Sequence, residues 1–152
     1  NETIMNAISY IEENYEVDDD TIILTHDSVR PFVTHRIIEE NIRYAQEYGA
    51  CDTAVAATDT IVQSEDGKVI SSVPDRSKMY QGQTPQTFRL KKLKSLYESL
   101  TDEEKKILTD AAKIVMKGED VYLVEGEVSN IKITYPYDLR VAETLIQSEQ
   151  ED

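Results

Sequence analysis

The chain has 152 residues, 39% of them hydrophobic and 30% charged, which predicts one soluble globular domain and excludes a disordered chain. Its formal net charge of −14 excludes duplex DNA or RNA as a partner, because sequence-independent affinity for phosphate backbones needs a basic surface. No apolar run approaches the ~20 residues of a membrane span, no signal peptide opens the chain, and the single Cys51 fits a reducing cytoplasm.

In chain order, Ile4, Ala7, Ile8 and Ile11 recur at helical spacing and predict an amphipathic helix over 2–15. Residues 21–25 are β-branched and nearly all apolar, a short buried strand. That strand runs into His26-Asp27-Ser28-Val29-Arg30-Pro31, polar groups at the carboxyl edge of a sheet, where open α/β folds bind ligands. The plainer reading is a turn in which Arg30 closes a local salt bridge. Thr34 is a plausible N-cap for a helix to about Glu47, buried through Ile37, Ile38, Ile42 and Ala45 and ended by Gly49. Residues 53–57 form the next buried strand. Strand, helix and strand in that order imply a parallel crossover in an α/β sheet.

Residues 60–64 and 69–73 flank Glu65-Asp66-Gly67-Lys68, a hairpin signal whose arms lack a strong inner face. Such an arm, about 58–75, either pairs with a second subunit or stands in solvent. Thr84-Pro85-Gln86 reads as a turn just before a helix over 89–100, with Phe88 anchoring it. Thr101 could cap a short acidic helix, and Thr109-Asp110 starts another that runs to Met116 and stops at Gly118. Residues 121–124 and 131–134 read as strands. A closing helix over 137–147 turns Leu139, Val141, Ala142, Leu145 and Ile146 inward, and 149–152 is an acidic tail.

No serine–histidine–acid order, paired-cysteine metal site or HExxH helix is present, so acid–base or covalent catalysis by side chains has little support. Arg30, Arg76, Lys132 and an Asp-bound metal suit positioning and charge neutralisation instead, the requirement of phosphoryl or nucleotidyl transfer. Lys132 sits between two isoleucines, so it either faces solvent on an edge strand or projects at a bound anion. The five glycines never come closer than eight residues apart, so none forms a phosphate-cradling loop.

Taken together, His26-Asp27-x-x-Arg30-Pro31, Asp75-Arg76, Thr84-Pro85-Gln86-x-Phe88, Thr109-Asp110-Ala111, and the stretch from Val124-Glu125-Gly126 through Asn130-Ile131-Lys132-Ile133-Thr134 to Asp138-Leu139 resemble the sugar- and polyol-phosphate cytidylyltransferases. The resemblance implies a Rossmann-like nucleotidyltransferase fold, a mixed and mostly parallel sheet flanked by helices, with a protruding hairpin arm. It implies transfer of a cytidylyl group from CTP to a polyol phosphate with Mg²⁺, in a homodimer with interlocking arms. Lys132 and Asp27 would be catalytic, with Asp27 also at the ribose or metal. Arg30, Thr84 and Thr109 would line the polyol-phosphate pocket, while Arg76 and Thr60 would reach that pocket in the neighbouring subunit. Thr3, Asp27 and Ser28 would lie on the nucleotide side.

Members of that family carry a glycine-rich loop ahead of the position where this sequence opens. Residues 1–148 are therefore expected to be the C-terminal portion of one cytidylyltransferase domain, inactive toward CTP when alone. Ser28-Val29 and Tyr80-Gln81-Gly82-Gln83 look more like the ribitol-5-phosphate branch, which serves teichoic acid synthesis, than the methylerythritol-phosphate branch of isoprenoid precursor synthesis. The rival of another class is a non-catalytic acidic module that docks a partner through the hairpin.

Overall fold

The computed structural model describes residues 2–106 and 109–150. Helix α1 spans Glu2–Asn14, strand β1 Ile22–Thr25, helix α2 His35–Tyr48 and strand β2 Ala50–Ala56. Strand β3 runs over Tyr80–Arg89 and leads straight into helix α3, Leu90–Ser99. Helix α4 (Asp110–Met116), strand β4 (Tyr122–Glu125) and helix α5 (Pro136–Gln150) follow. Glu151 and Asp152, the end of the expected acidic tail, lie outside the described residues. No helix among the described residues is long and apolar enough to cross a membrane.

The local signals behave as their chemistry requires. Thr34 is extended and its hydroxyl accepts from the Ile37 amide, while Gly49 closes α2 at a φ of 88°. Thr109 caps α4 in the same way, accepting from the Ala112 amide at 3.1 Å. Thr101 and Glu104 form a reciprocal capping box ahead of the short 3₁₀ turn Glu104–Lys106.

The sheet has the order β1-β3-β2-β4. Strand β3 is antiparallel to both β1 and β2, and only β2 and β4 pair in parallel. Strands β1 and β2 thus share a direction, as a crossover through α2 demands, but β3 is inserted between them. No strand is expected there from the residues alone, and Thr84-Pro85-Gln86 is expected as a turn. In the structure those residues sit inside β3. Between the pairs Asp52–Gln86 and Ala54–Gly82, three residues of β3 oppose one of β2. That bulge is where a proline, with no N–H to donate, fits within a paired strand.

Pairing across the sheet sets two rows on one face. Ile23, Phe88 and Ala50 form an apolar row, and Phe88 and Ala50 are fully buried beneath α1, α3 and α4 with Ile8, Leu93 and Ile114. Two residues along, the row becomes Thr25, Gln86 and Asp52. The opposite face packs on α2, where Ala45, Cys51 and Val124 are buried.

Four further expectations are corrected. In α2, Asn41 is buried and Ile42 is exposed, because the Asn41 side chain donates to Thr53 Oγ1 and to the Ile37 carbonyl, both at 2.8 Å. Residues 131–134 make no strand: Ile133 N–H donates to the Val29 carbonyl, but no ladder develops around it. In place of two strands the arm has one isolated bridge, between Gln63 and Ser72, with the Ser64 and Ser71 hydroxyls donating to the Val69 and Gln63 carbonyls, and Val62, Val69, Ile70 and Val73 are exposed. Along α5, Ala142 is buried, but Leu139 and Ile146 are exposed.

Candidate active site

A cleft of about 630 Å³ opens on the sheet face at the polar row, between the carboxyl end of β1, the bulge of β3, and the first turn of α4. Its walls include Asp27, Arg30, Thr84, Thr109 and Lys132, which the sequence reading brought together, and also His26, Asp52, Gln86, Tyr97, Asp110 and Lys113.

The loop after β1 is fixed from several sides. The Thr84 hydroxyl accepts from the Asp27 amide at 3.0 Å and meets His26 Nδ1 at 2.9 Å. His26 Nε2 lies 2.9 Å from the Arg30 carbonyl, which can only accept. In the neutral ring this places the hydrogen on Nε2 and leaves Nδ1 to accept from Thr84. Thr84 is thus donor and acceptor at once, and it ties the β3 bulge to the loop.

Two cations converge on one carboxylate. Arg30 Nε lies 3.1 Å and Lys132 Nζ 3.4 Å from Asp27 Oδ2. The guanidinium of Arg30 also donates to the Asn130 carbonyl at 2.8 Å. Asn130 is fully buried and donates from Nδ2 to the Thr84 carbonyl at 2.9 Å. Gln83 adds a hydrogen bond to the Glu127 carbonyl at 2.8 Å, so the 127–132 segment that carries Lys132 hangs from β3. Gly126 allows this approach: a Cβ there would fall 2.4 Å from Gln83 Oε1. Arg30 is largely buried and Lys132 half exposed at the mouth.

On the α4 side, Lys113 is almost fully buried. Its ammonium lies 3.1 Å from Asp110 Oδ1 and 5.1 Å from the centroid of the Tyr97 ring. The Tyr97 hydroxyl donates to the same Asp110 oxygen, and burial together with that carboxylate pushes its pKa up. Deep in the cleft, burial raises the Asp52 carboxyl from 3.8 to about 6, against the opposing pull of Gln86, the Thr53 amide and Arg30.

The remaining expected site residues are not gathered here. Ser28 is exposed on the loop and does not line the cleft, and Thr3 is exposed on α1, although its neighbour Ile4 does line it. Thr60 belongs to the arm and Arg76 opens the 3₁₀ turn Arg76–Lys78 just after it, where it donates to the Thr58 carbonyl at 2.9 Å. Only two of the three key cations therefore meet within one chain. Asp52 and Lys113 escaped sequence reasoning because an Asp beside an apolar run and a Lys in a short helix normally face solvent. Among the described residues no group of three or more His, Cys, Asp or Glu side chains could hold a metal ion. Asp27 offers a single carboxylate to one.

Solved structures share this architecture. The 4-diphosphocytidyl-2C-methyl-D-erythritol synthase of Anaerococcus prevotii is 30% identical, with a TM-score of 0.80 over 94% of this chain and 64% of that one. The 2-C-methyl-D-erythritol 4-phosphate cytidylyltransferase of Thermus thermophilus is also 30% identical, with a TM-score of 0.77 over 92% of this chain and 67% of that one. The Francisella tularensis protein of the same name is 25% identical, with a TM-score of 0.78 and coverages of 92% and 66%. This chain thus spans slightly less than two thirds of the length of the Anaerococcus protein. The model of the family IspD, 2-C-methyl-D-erythritol 4-phosphate cytidylyltransferase, matches residues 1–148, and the chain belongs to that family.

Proposed function

We propose that this chain supplies the polyol-phosphate side of a cytidylyltransferase site. The reaction joins CTP and 2-C-methyl-D-erythritol 4-phosphate, with release of pyrophosphate. The observation that carries the reading is the convergence of Arg30 and Lys132 on Asp27 at a cleft mouth, in a chain of net charge −14. Two cations held by one carboxylate leave a net positive charge, suited to a phosphate monoester that must approach a triphosphate.

In this scheme a phosphate oxygen of the polyol phosphate attacks the α-phosphorus of CTP in line. The bond from that phosphorus to the oxygen bridging to the β-phosphorus breaks, and pyrophosphate carries away the electron pair. No protein nucleophile is consumed. Lys132, half exposed at the mouth, neutralises charge developing on the phosphates. Arg30, locked by Asp27 and the Asn130 carbonyl, orients the attacking group. Asp27 would be the residue to hold a Mg²⁺, which would supply charge neutralisation there. Thr60 and Arg76 would act in the site of a second copy, the apolar arm providing the contact.

The sequence features at 28–29 and 80–83 favoured ribitol 5-phosphate. The family match and the names of the structural relatives favour 2-C-methyl-D-erythritol 4-phosphate, and the proposal follows them. The deciding experiment measures pyrophosphate release by the complete protein with CTP, Mg²⁺ and each polyol phosphate in turn. Turnover with neither, and no CTP binding, overturns the reading in favour of a docking module. Lys132→Ala should lower turnover by roughly two orders of magnitude or more, and near-normal turnover would remove it from the mechanism.

A further inference from the structure

The carboxyl of Asp52 has no task in the scheme above. It is the third residue of β2, stands in the polar row beside Gln86 and lines the cleft. Among the described residues its Oδ1 is buried and has no hydrogen-bond partner. A purely structural buried carboxylate is normally bonded at both oxygens, since an unpaired one forfeits its hydration without return. The residue as a whole remains partly exposed to the cleft. The two carboxylate oxygens are chemically equivalent, so a ligand that bonds one bonds the group, and Oδ2 is the oxygen near Gly82, which also lines the cleft. Gly82 lies across from it: a Cβ there would stand 3.9 Å from Asp52 Oδ2, in space that is now open to the cleft.

We propose that Asp52 is a specificity-determining residue that accepts a hydrogen bond from a hydroxyl of the polyol chain while Arg30 and Lys132 hold its phosphate. The inference rests on the polyol-phosphate reading. It assigns the acceptor that selects a hydroxylated substrate over one lacking that group. A hydroxyl is the matching chemistry, because a second anion would be repelled and an apolar group would leave the oxygen unpaired. The Thr25 and Gln86 side chains in the same row offer further polar contacts to a chain of hydroxyls.

The test uses the complete protein with CTP and either 2-C-methyl-D-erythritol 4-phosphate or ribitol 5-phosphate. Asp52→Ala should raise KM for the polyol phosphate by about ten- to hundredfold and leave KM for CTP within about twofold. An analogue lacking the bonded hydroxyl should lose affinity for the natural protein but not for the variant. Gly82→Ala keeps the carboxyl but fills the space beside it, and should raise the same KM. Should Asp52→Ala fail to fold, Asp52→Asn carries the test, with a smaller rise in the same constant. An unchanged polyol KM in the Asp52 variants, or an equal rise in both KM values, overturns the proposal and leaves the transferase reading standing. A natural protein that turns over neither polyol phosphate overturns both.

Discussion

Replacing Asp52 by Asn should make the protein more stable at neutral pH, and by an amount that depends on pH in a defined direction. Burial raises this carboxyl from 3.8 to about 6. A shift of one pKa unit corresponds to 1.36 kcal/mol, so keeping Asp52 ionised in the folded state costs about 3 kcal/mol at pH 7 as an upper bound. The sign follows from proton uptake. Between about pH 4 and pH 6 the folded state holds the proton more tightly than the unfolded one, so Asp52 makes stability fall as pH rises through that window. Below pH 4 the group is protonated in both states and the penalty vanishes. Asn is neutral throughout and keeps the shape. Urea denaturation of both proteins, repeated at half-unit steps of pH, should give curves that nearly coincide at pH 4. They should separate by about 2–3 kcal/mol at pH 7, Asn being the more stable. A difference that is constant across the range would falsify the assignment of a desolvated carboxylate at this position.

Three other outcomes follow from the hydrogen bonds around the site. Thr84→Val removes the acceptor of the Asp27 amide and the partner of His26; turnover should fall about tenfold or more with a loss of only about 1–2 kcal/mol in stability, and an unaltered rate would show that the loop holds itself. Asn41→Leu leaves the Thr87 hydroxyl and the Ile37 carbonyl without their Asn41 partners in a buried place; chemical denaturation should show a loss of about 3 kcal/mol, and a loss below about 0.5 kcal/mol refutes the accounting. Gly126→Ala places a Cβ 2.4 Å from Gln83 Oε1 and 3.0 Å from Thr53 Cγ2; thermal unfolding should report a cost of about 1–3 kcal/mol, and a neutral effect would mean that Gln83 swings away freely.

What the sequence disclosed was mostly local. The capped helices α2 and α4 were legible because Thr34, Thr109, Gly49 and Gly118 act on backbone groups a few residues away. The His26–Pro31 loop was legible as a site because an acid and a base sat three residues apart at a strand end. Strand β3 was hidden. Tyr80-Gln81-Gly82-Gln83-Thr84-Pro85 has neither the alternation nor the β-branched content of a strand, and its extended form depends on tertiary partners, Tyr80, Gln81 and Gly82 pairing with Ala56, Val55 and Ala54 of β2. The segment 131–134 erred the other way, its β-branched run suggesting a ladder where only one backbone bond to Val29 forms. Asn41 and Asn130 carry buried networks that no spacing rule announces, since each is a lone amide in an ordinary context.

The Arg30 guanidinium reaches a carbonyl 100 residues further along the chain. Contacts that close so large a loop are the slowest to be gained, because the entropy of closure is lost before any contact returns it. The order of assembly is therefore constrained. Helix α2 and its caps can form early from neighbours, whereas the cationic mouth stays unbuilt until the stretch after β4 has docked, so competence to hold an anion should be among the final properties the folding chain acquires.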